Sequence, residues 1–321
     1  MQTTTNSFEE IKNFIEEVPC PHCGSTTYDV VFNANYPDNL TPNNLVDVYS
    51  SSSDTTLMDQ MVECKQCELN YLNPRIKEDI IMQSYSDVED NTFISQNKER
   101  IQTFKKSLTD FVKRHNINVK DKKVLDVGCA GGAFPEAANQ VGFNVVGVEP
   151  SKYLSNWAKN EYGLDIRSGI LQDFNFEEKS FDIVTLWDVI EHLTRPDEVL
   201  GQIHKLLKDD GSLIVNYPDF ASLPCRLMGK KWPFFLSVHL IYFTPKTIKQ
   251  YLKKNGFDVV EIKPYWQTLQ LGYVLKRAGQ YFGIFSFFGK IVDSIGLGKL
   301  PISYYIGQTF VMAKKSSKNE S

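Results

Sequence analysis

The chain has 321 residues, 42% of them hydrophobic, with 35 Lys and Arg against 39 Asp and Glu and a formal charge of −4. That length exceeds one typical domain, so one large core with an appendage is expected, and the slightly acidic balance offers no basic surface, so no nucleic-acid partner is expected. No run of 18 consecutive apolar residues occurs, which argues against a spanning helix, and residues 1–18 are polar and amphipathic rather than signal-like, so a cytoplasmic location is expected.

Four of the six cysteines fall as Cys20-Pro-His-Cys23 and Cys64-Lys-Gln-Cys67, with 40 residues between the pairs. Each Cys-x-x-Cys turn can offer two thiolates to one ion, and in a reducing compartment metal binding outcompetes disulfide formation. One structural, tetrahedral zinc is therefore expected on Cys20, Cys23, Cys64 and Cys67, the alternative being redox or unliganded thiols. His22 is then a bystander, because four sulfurs complete the shell. Strands are expected over Tyr28–Phe32 and Met61–Cys64, with a loop over Tyr49-Ser-Ser-Ser-Ser-Asp-Thr-Thr56. A ribbon this small has little core, so the metal should supply much of its folding energy. Residues 1–75 are assigned to the ribbon and 76–118 to a helical linker or cap. Helical spacing holds over 77–85 and over 97–115, where Ile101, Phe104, Leu108, Phe111 and Val112 recur.

From residue 119 strands and helices alternate. Val124, Leu125 and Val127 read as a buried parallel strand, and Gly128, Gly131 and Gly132 allow a sharp turn with bare backbone facing a ligand. Pro135 falls in the first turn of the helix that follows, over 136–141. A dinucleotide turn would need glycine at 130, where the chain has Ala130. Asp126, at the strand end, would repel a pyrophosphate and attract a cation. The strand Asn144–Glu149 ends in a carboxylate 23 positions after Asp126, where an acid receives ribose hydroxyls. Next, Gly169-Ile-Leu-Gln-Asp173 places Asp173 to accept from an adenine amino group, with Phe174 available to pack on the ring. The strand Phe181–Trp187 then runs into Asp188-Val-Ile-Glu-His-Leu193.

The set Asp126-Val-Gly-Cys-Ala-Gly-Gly132, Gly-Val-Glu149, Gln172-Asp173 and Trp187-Asp-Val-Ile-Glu-His-Leu193, in that order and spacing, resembles class I S-adenosylmethionine-dependent methyltransferases over 119–315. The resemblance implies an α/β fold, a Rossmann-like seven-stranded, mostly parallel sheet with helices on both faces, preceded here by the zinc ribbon. It implies S-adenosylmethionine as cofactor, held by Asp126, Gly128, Cys129, Ala130, Gly131, Glu149, Pro150, Gln172, Asp173, Trp187 and Asp188. The family usually has glycine where this chain has Ala130. Its helix before the first strand covers the cofactor pocket, and the resemblance extends that role to the helix over 97–115. Some related quinone O-methyltransferases hold a divalent ion on carboxylates and a histidine at positions matching 188, 191 and 192.

Methyl transfer is an in-line displacement, so the enzyme mainly positions its substrates, with a general base where the acceptor is a hydroxyl. His192 and His239 are the candidate bases, and Asp188, Glu191 and His192 fall on neighbouring faces of one turn. His239 lies in the aromatic segment 232–245, between a strand over 212–216 and a helix over 246–255. Similar segments form the acceptor side in zinc-ribbon methyltransferases of surface-polysaccharide and lipid-linked sugar pathways. That resemblance implies Trp232, Phe235, His239 and Tyr242 as acceptor-site residues. Residues 272–300 read as an amphipathic insertion with Lys276, Arg277, Lys290 and Lys299, suited to an anionic membrane surface or to covering the pocket or a partner. A last strand is expected over 304–313 and a disordered tail over 316–321.

The expected function is methyl transfer to a small-molecule, sugar or lipid-linked acceptor, with peripheral contact at the inner membrane face through 272–300. The alternatives are a non-catalytic, partner-recruiting module, a quinone-type O-methyltransferase, and a nucleotide-sugar oxidoreductase, against which Ala130 and Asp126 argue.

Overall fold

The computed structural model describes residues 11–50, 55–86 and 94–316; part of the expected loop over 49–56 and residues 317–321 of the expected tail lie outside them. After the first Cys-x-x-Cys turn, β1 (Tyr28–Phe32), β2 (Met61–Cys64) and β3 (Asn70–Leu72) form an antiparallel meander, the first two with the bounds their composition predicts. The fourth strand of this sheet is not local. Ile241 and Tyr242 pair antiparallel with Tyr71 and Asn70. Among the described residues after the ribbon come the helices α1 (Glu78–Ser86) and α2 (Asn97–Arg114). In α2, Glu99 in the first turn and Lys113 and Arg114 in the last complement the helix dipole.

The main domain continues as β4 (Lys123–Val127), α3 (Ala133–Val141), β5 (Asn144–Glu149), α4 (Lys152–Tyr162), β6 (Asp165–Ser168), β7 (Phe181–Trp187), α5 (Pro196–Leu206), β8 (Leu207–Pro218), α6 (Leu223–Met228), β9 (Ile241–Tyr242), α7 (Pro245–Lys254), β10 (Phe257–Pro264), β11 (Gln267–Gln270), α8 (Leu271–Tyr281), α9 (Ile284–Ser294), β12 (Pro301–Tyr304) and β13 (Gln308–Lys315). Seven strands form one sheet in the order β10-β13-β8-β7-β4-β5-β6. Neighbours from β8 to β6 run parallel, and β13 runs antiparallel to both β8 and β10. The chain moves from β4 outward to β5 and β6, then crosses to β7 on the other side. The crevice between β4 and β7, at their carboxyl ends, is where such a sheet takes its ligand.

Several boundaries differ from expectation for physical reasons. Helix α3 starts at Ala133, so Pro135 is its third residue, one of the first four whose N–H has no partner inside a helix in any case. The strand expected over 212–216 is longer, Leu207–Pro218, with a register irregularity between Leu207 and Ser212. The expected last strand splits, because Pro301–Tyr304 pairs with Gln267–Gln270 as a hairpin at the base of the insertion while Gln308–Lys315 enters the sheet. The insertion itself is a pair of helices.

One hydrophobic core runs through ribbon and sheet, uniting Met61, Val62, Leu69 and Tyr71 with Trp232, Tyr242 and Leu252. Backbone bonds cross the same seam: Leu57 N–H to Phe235 C=O, Leu72 N–H to Leu240 C=O and Ser237 N–H to Thr55 C=O. Trp232 is the largest fully buried side chain at this junction; its indole N–H donates to the Ile306 carbonyl at 2.8 Å, and Phe234 and Phe235 pack on its ring. Truncating it should cost about 3–5 kcal/mol. We expect urea unfolding of Trp232→Ala to shift by that amount with far-UV circular dichroism and ribbon metal release moving together; separate transitions would show that ribbon and sheet fold independently.

Candidate functional site

A cavity of about 720 Å³ opens at the carboxyl ends of β4, β5 and β7 and continues beneath the α8–α9 pair. Its first end is the turn after β4. Gly128 has φ +73°, and a Cβ there would lie 2.6 Å from Val189, so only glycine permits the approach. Ala130 is also left-handed, at φ +45°, a conformation that costs a non-glycine residue about 1–2 kcal/mol. What holds it there is Glu149, one carboxylate oxygen of which accepts the Ala130 N–H and the other the Ser151 N–H, both at 2.8 Å. Asp126, one strand away, accepts the Thr185 hydroxyl at 2.6 Å. Burial pushes Asp126 up to about 8 against the pull of Thr185, with the Glu149 charge adding to the rise. Burial likewise pushes Glu149 up to about 7 despite its two backbone donors.

An aromatic cluster forms one wall of the cavity. Phe104 from α2, Phe134 from α3 and Tyr265 after β10 surround Trp187 at centroid distances of 4.9, 5.3 and 5.3 Å. The Trp187 indole N–H is buried without a partner among the described residues. Asp188, at φ +54°, receives the Asn216 amide at 2.7 Å and the Gln308 amide at 2.7 and 2.8 Å; burial still raises it to about 6.

Of the residues expected around a cofactor, Asp126, Gly128, Cys129, Ala130, Glu149, Pro150, Gln172, Trp187 and Asp188 line the cavity. Gly131 and Asp173 do not. Gly131 faces α2, its carbonyl accepting the Asn97 amide at 2.7 Å, and Asp173 turns back to accept the Ile170 N–H at 2.9 Å. Phe174 packs on Phe176, with the Arg167 guanidinium 5.9 Å from its centroid. The cavity also takes Arg100, Thr103 and Phe104 from α2, Tyr265, and Gln308 from β13. Helical spacing had marked Phe104, whereas Gln308 carried no signal, since only the β8–β13 pairing brings it to Asp188.

At the other end the aromatic segment contributes Pro233, Phe234 and Leu236 to the wall, joined by Tyr273, Arg277, Tyr281, Phe282 and Phe285 from the insertion. Trp232, Phe235 and Tyr242 point into the core instead, and His239 is buried one layer behind the wall, its ring nearly parallel to that of Phe234. His192 does line the cavity. Its Nδ1 donates to the Val238 carbonyl at 3.0 Å, and His239 Nδ1 donates to the Phe234 carbonyl at 2.9 Å. Burial pushes His192 down to about 4 and His239 well below its ordinary value, so both rings are neutral near pH 7.

The four ribbon thiols converge as expected. Cys20 and Cys67 sulfurs lie 3.5 Å apart and those of Cys23 and Cys64 3.4 Å apart, too far for S–S bonds and close to the roughly 3.8 Å edge of a tetrahedron built on 2.3 Å zinc–sulfur bonds. Gly24 and Glu68, each four residues past the first cysteine of its pair, are both left-handed, so the two turns match in form. The donor set and spacing fit zinc.

A family profile described as a methyltransferase domain matches residues 96–262, which takes in the cavity's turn, its acids and the wall residues Phe104, Phe134 and Trp187 but neither the ribbon nor the insertion. A ubiquinone biosynthesis O-methyltransferase of Coxiella burnetii is 26% identical over 158 residues, 46% of this chain and 68% of that one. A protein of the same name from Actinobacillus pleuropneumoniae is 32% identical over 114 residues, 32% of this chain and 49% of its own. Among solved structures, a magnesium protoporphyrin IX methyltransferase from Synechocystis PCC 6803 with bound SAH aligns at TM-score 0.47 and 15% identity, covering 71% of this chain and 89% of that one. A methyltransferase described as putative from Bacillus halodurans aligns at TM-score 0.47 and 17% identity, over 65% and 99%.

The buried acids predict a pH dependence. Asp126 and Glu149 hold protons more tightly folded than unfolded, where carboxyls titrate near about 4, so stability falls as pH rises through the folded values. His192 acts in the opposite sense, but its contribution is complete above about 6.5. Between pH 6.5 and 8 the ligand-free chain should therefore lose thermal stability, and Glu149→Gln should flatten that slope. A wild-type Tm constant across the window would refute the placement of these acids.

Proposed function

The chain belongs to the methyltransferase-domain family, and from that premise we propose that it carries the methyl group of S-adenosylmethionine to a hydroxyl of a lipid-linked sugar or similarly amphiphilic small molecule, in surface-polysaccharide or related biosynthesis. The observation that carries this reading is the continuity of one cavity from the acid-bearing turn to the apolar helix pair.

The residues at the first end suit that cofactor. Its sulfonium and ammonium charges favour the ionised form of Asp126, and each Glu149 oxygen accepts one N–H and keeps a lone pair for a ribose hydroxyl. With Asp173 occupied in its own turn, the adenine is left to Ile170, Leu171 and Gln172. Bound there, the cofactor supplies an electrophilic methyl carbon. The chain's own part is to hold the acceptor oxygen in line and to receive its proton. His192 is the basic group on the wall at the acceptor end, with the His239 centroid 4.7 Å behind it.

The acceptor end is apolar and aromatic, which suits a prenyl or ring-bearing body. Outside it, α9 exposes Ile284, Phe287, Phe288, Ile291 and Ile295, with Phe287 63% exposed, and α6 exposes Leu223 and Leu227, the latter 78%. Between the two lies the Lys231 ammonium, 4.9 Å from the Phe282 centroid, and Lys290 and Lys299 lie in or beside α9 in sequence. No helix among the described residues is long and apolar enough to cross a membrane. An apolar face rimmed by lysines instead suits the headgroup region of an anionic bilayer, from which a lipid-linked acceptor would enter. A second reading, O-methylation of a quinone-type ring, is favoured by the names of the curated relatives and uses the same cavity.

Incubation with methyl-labelled S-adenosylmethionine and separated pools of lipid-linked sugars, water-soluble sugars, quinols and RNA tests the reading. Label should enter the lipid-linked pool, with Glu149→Ala raising the KM for the methyl donor about 10–100-fold. Label confined to quinols would install the second reading, and label in soluble sugars alone or in RNA would overturn the amphiphilic acceptor. On vesicles, the chain should co-sediment with anionic but not zwitterionic lipid, and Phe287→Ser with Phe288→Ser should abolish it. Dimerisation that survives without lipid and is lost in the same variant would assign the face to a second copy instead.

A further inference from the structure

Helix α8 turns one basic residue inward and its neighbour outward. Resting on the methyltransferase reading, we propose that the inward one, Arg277, binds a phosphoryl group that bridges the reacting part of the acceptor and its apolar body.

Tyr273, Val274, Arg277, Ala278 and Tyr281 line the cavity and fall on one stripe of the helix. Lys276 and Gln280 are exposed on its other side, whereas Arg277 is half-buried. The two cations are thus sorted by face. An ammonium outside suits a bilayer surface, but a guanidinium set between tyrosines inside does nothing for it. Its planar fork matches the paired oxygens of a phosphoryl group, and a charge in apolar surroundings is costly until it is paired.

The other charges on the lining belong elsewhere. Arg195 bonds Glu78 and Glu198 at 3.3 and 2.9 Å, and Asp126 and Glu149 belong to the donor end. Arg100 bears on Asp188: burial raises that acid, and the amides of Gln308 and Asn216 and then the Arg100 charge pull it back. Among the described residues, the lining from Tyr265 to Gln308 contains no acid, so the field beneath α8 is positive.

A hydrogen-bond chain sets where Arg277 stands along the cavity. Asp188 accepts the Gln308 amide at 2.7 Å, Gln308 accepts the Gln267 amide, and Gln267 accepts the Tyr304 hydroxyl at 3.1 Å. Tyr304 lines the cavity below α8. Burial and then Tyr273 push its hydroxyl up to about 12, and the charges of Arg100 and Arg277 act against them, which sets Arg277 near the inner end of this chain. Beyond Arg277 along the helix come Tyr281, Phe282 and Phe285. A ligand reaching from the donor end to those rings would pass its middle at the guanidinium. A carboxylate fits the same fork but ends a molecule, since esterified into a bridge it is neutral. A phosphodiester or diphosphate joins two organic groups and keeps its charge. Such a bridge can lead to a prenyl-type chain or to a nucleoside, and the apolar rings beyond Arg277 favour the chain.

Calorimetry on the full chain with farnesyl diphosphate, farnesol and uridine diphosphate tests the subsite without methyl transfer. Farnesyl diphosphate should bind more tightly than farnesol, and Arg277→Gln should weaken it about 10–100-fold while leaving farnesol and S-adenosylhomocysteine unchanged. Arg277→Lys, which keeps the charge and the fold but loses the fork, should recover only part of the affinity. Lys276→Gln removes the same charge from the outer face and should change nothing. Equal losses from Arg277→Gln and Lys276→Gln, or none from either arginine variant, would overturn the proposal. So would an Arg277→Gln defect confined to S-adenosylhomocysteine, which would give the guanidinium to the cofactor's carboxylate. Uridine diphosphate bound as tightly as farnesyl diphosphate, with the same dependence on Arg277, would uphold the subsite and make the bridge that of a nucleotide. Arg277-dependent binding of farnesyl diphosphate without methyl transfer to the lipid-linked pool would count against the proposed function alone.

Discussion

The pairing of Ile241–Tyr242 with Tyr71–Asn70 decides how much of this molecule is one object. Without it the ribbon would be a three-stranded meander around four thiols, too small to bury a core of its own. With it the ribbon sheet borrows a strand from the segment that bounds the acceptor end, and the backbone bonds at Leu57, Leu72 and Ser237 fix the loop from Trp232 to Tyr242 along its length. His239, Phe234 and Leu236 lie on that loop, so the geometry of the acceptor wall is set partly by the cysteine site even though no cysteine of the ribbon lines the cavity. A structural metal here stabilises the ribbon and, through it, the register of the wall.

The donor end is organised by a different constraint, which is the cost of burying negative charge. Asp126 and Glu149 are buried and Asp188 half-buried at strand ends, and each is only partly compensated, by a hydroxyl, by two backbone N–H groups, or by two side-chain amides. Hydrogen bonds of this kind lower a carboxyl's proton affinity, yet burial outweighs them at all three, and the groups remain above their ordinary values. A site kept in that condition gains more from a cation than a solvated one would, because the ligand relieves an existing penalty as well as adding attraction. The left-handed Ala130 and Asp188 belong to the same economy of strain, each held by a bond to or from one of these acids.

What the sequence disclosed follows from how local the determining physics is. The strands Asn144–Glu149 and Phe181–Trp187 were legible to the residue because largely apolar runs bounded by turn residues, Gly142 before the first and Lys179-Ser180 and Asp188 around the second, admit few alternatives. Gly131 and Asp173 were assigned to the cavity from the motifs they sit in, whereas a bond from Asn97, 34 residues earlier in the chain, and a local bond from Ile170 turn them elsewhere; at Asp173 local capping competes with ligand contact and leaves the same sequence trace. The aromatic segment misled for another reason. When nearly every residue is apolar, alternation carries no information about face, and the sheet-paired backbone turned Trp232, Phe235 and Tyr242 inward and Pro233, Phe234 and Leu236 outward. Gln308 was illegible because its role exists only through an antiparallel partner on the far side of the insertion.

The two ends of the cavity also differ in how firmly they are held, and the difference bears on how a bulky acceptor enters. Asp126, Glu149 and Trp187 sit at the ends of central parallel strands in the main core. Helices α8 and α9 contribute between them one buried residue, Gly289, and connect to the rest through the β11–β12 hairpin at their base. Elements with few fully buried residues open at lower free-energy cost than the strands of a core, so displacement of this pair is an easier motion than any at the donor end. That motion would uncover the acceptor end and leave the acids and the turn in place. The face it would present is the one already rich in exposed phenylalanine and isoleucine, so contact with an apolar phase compensates the opening rather than competing with it.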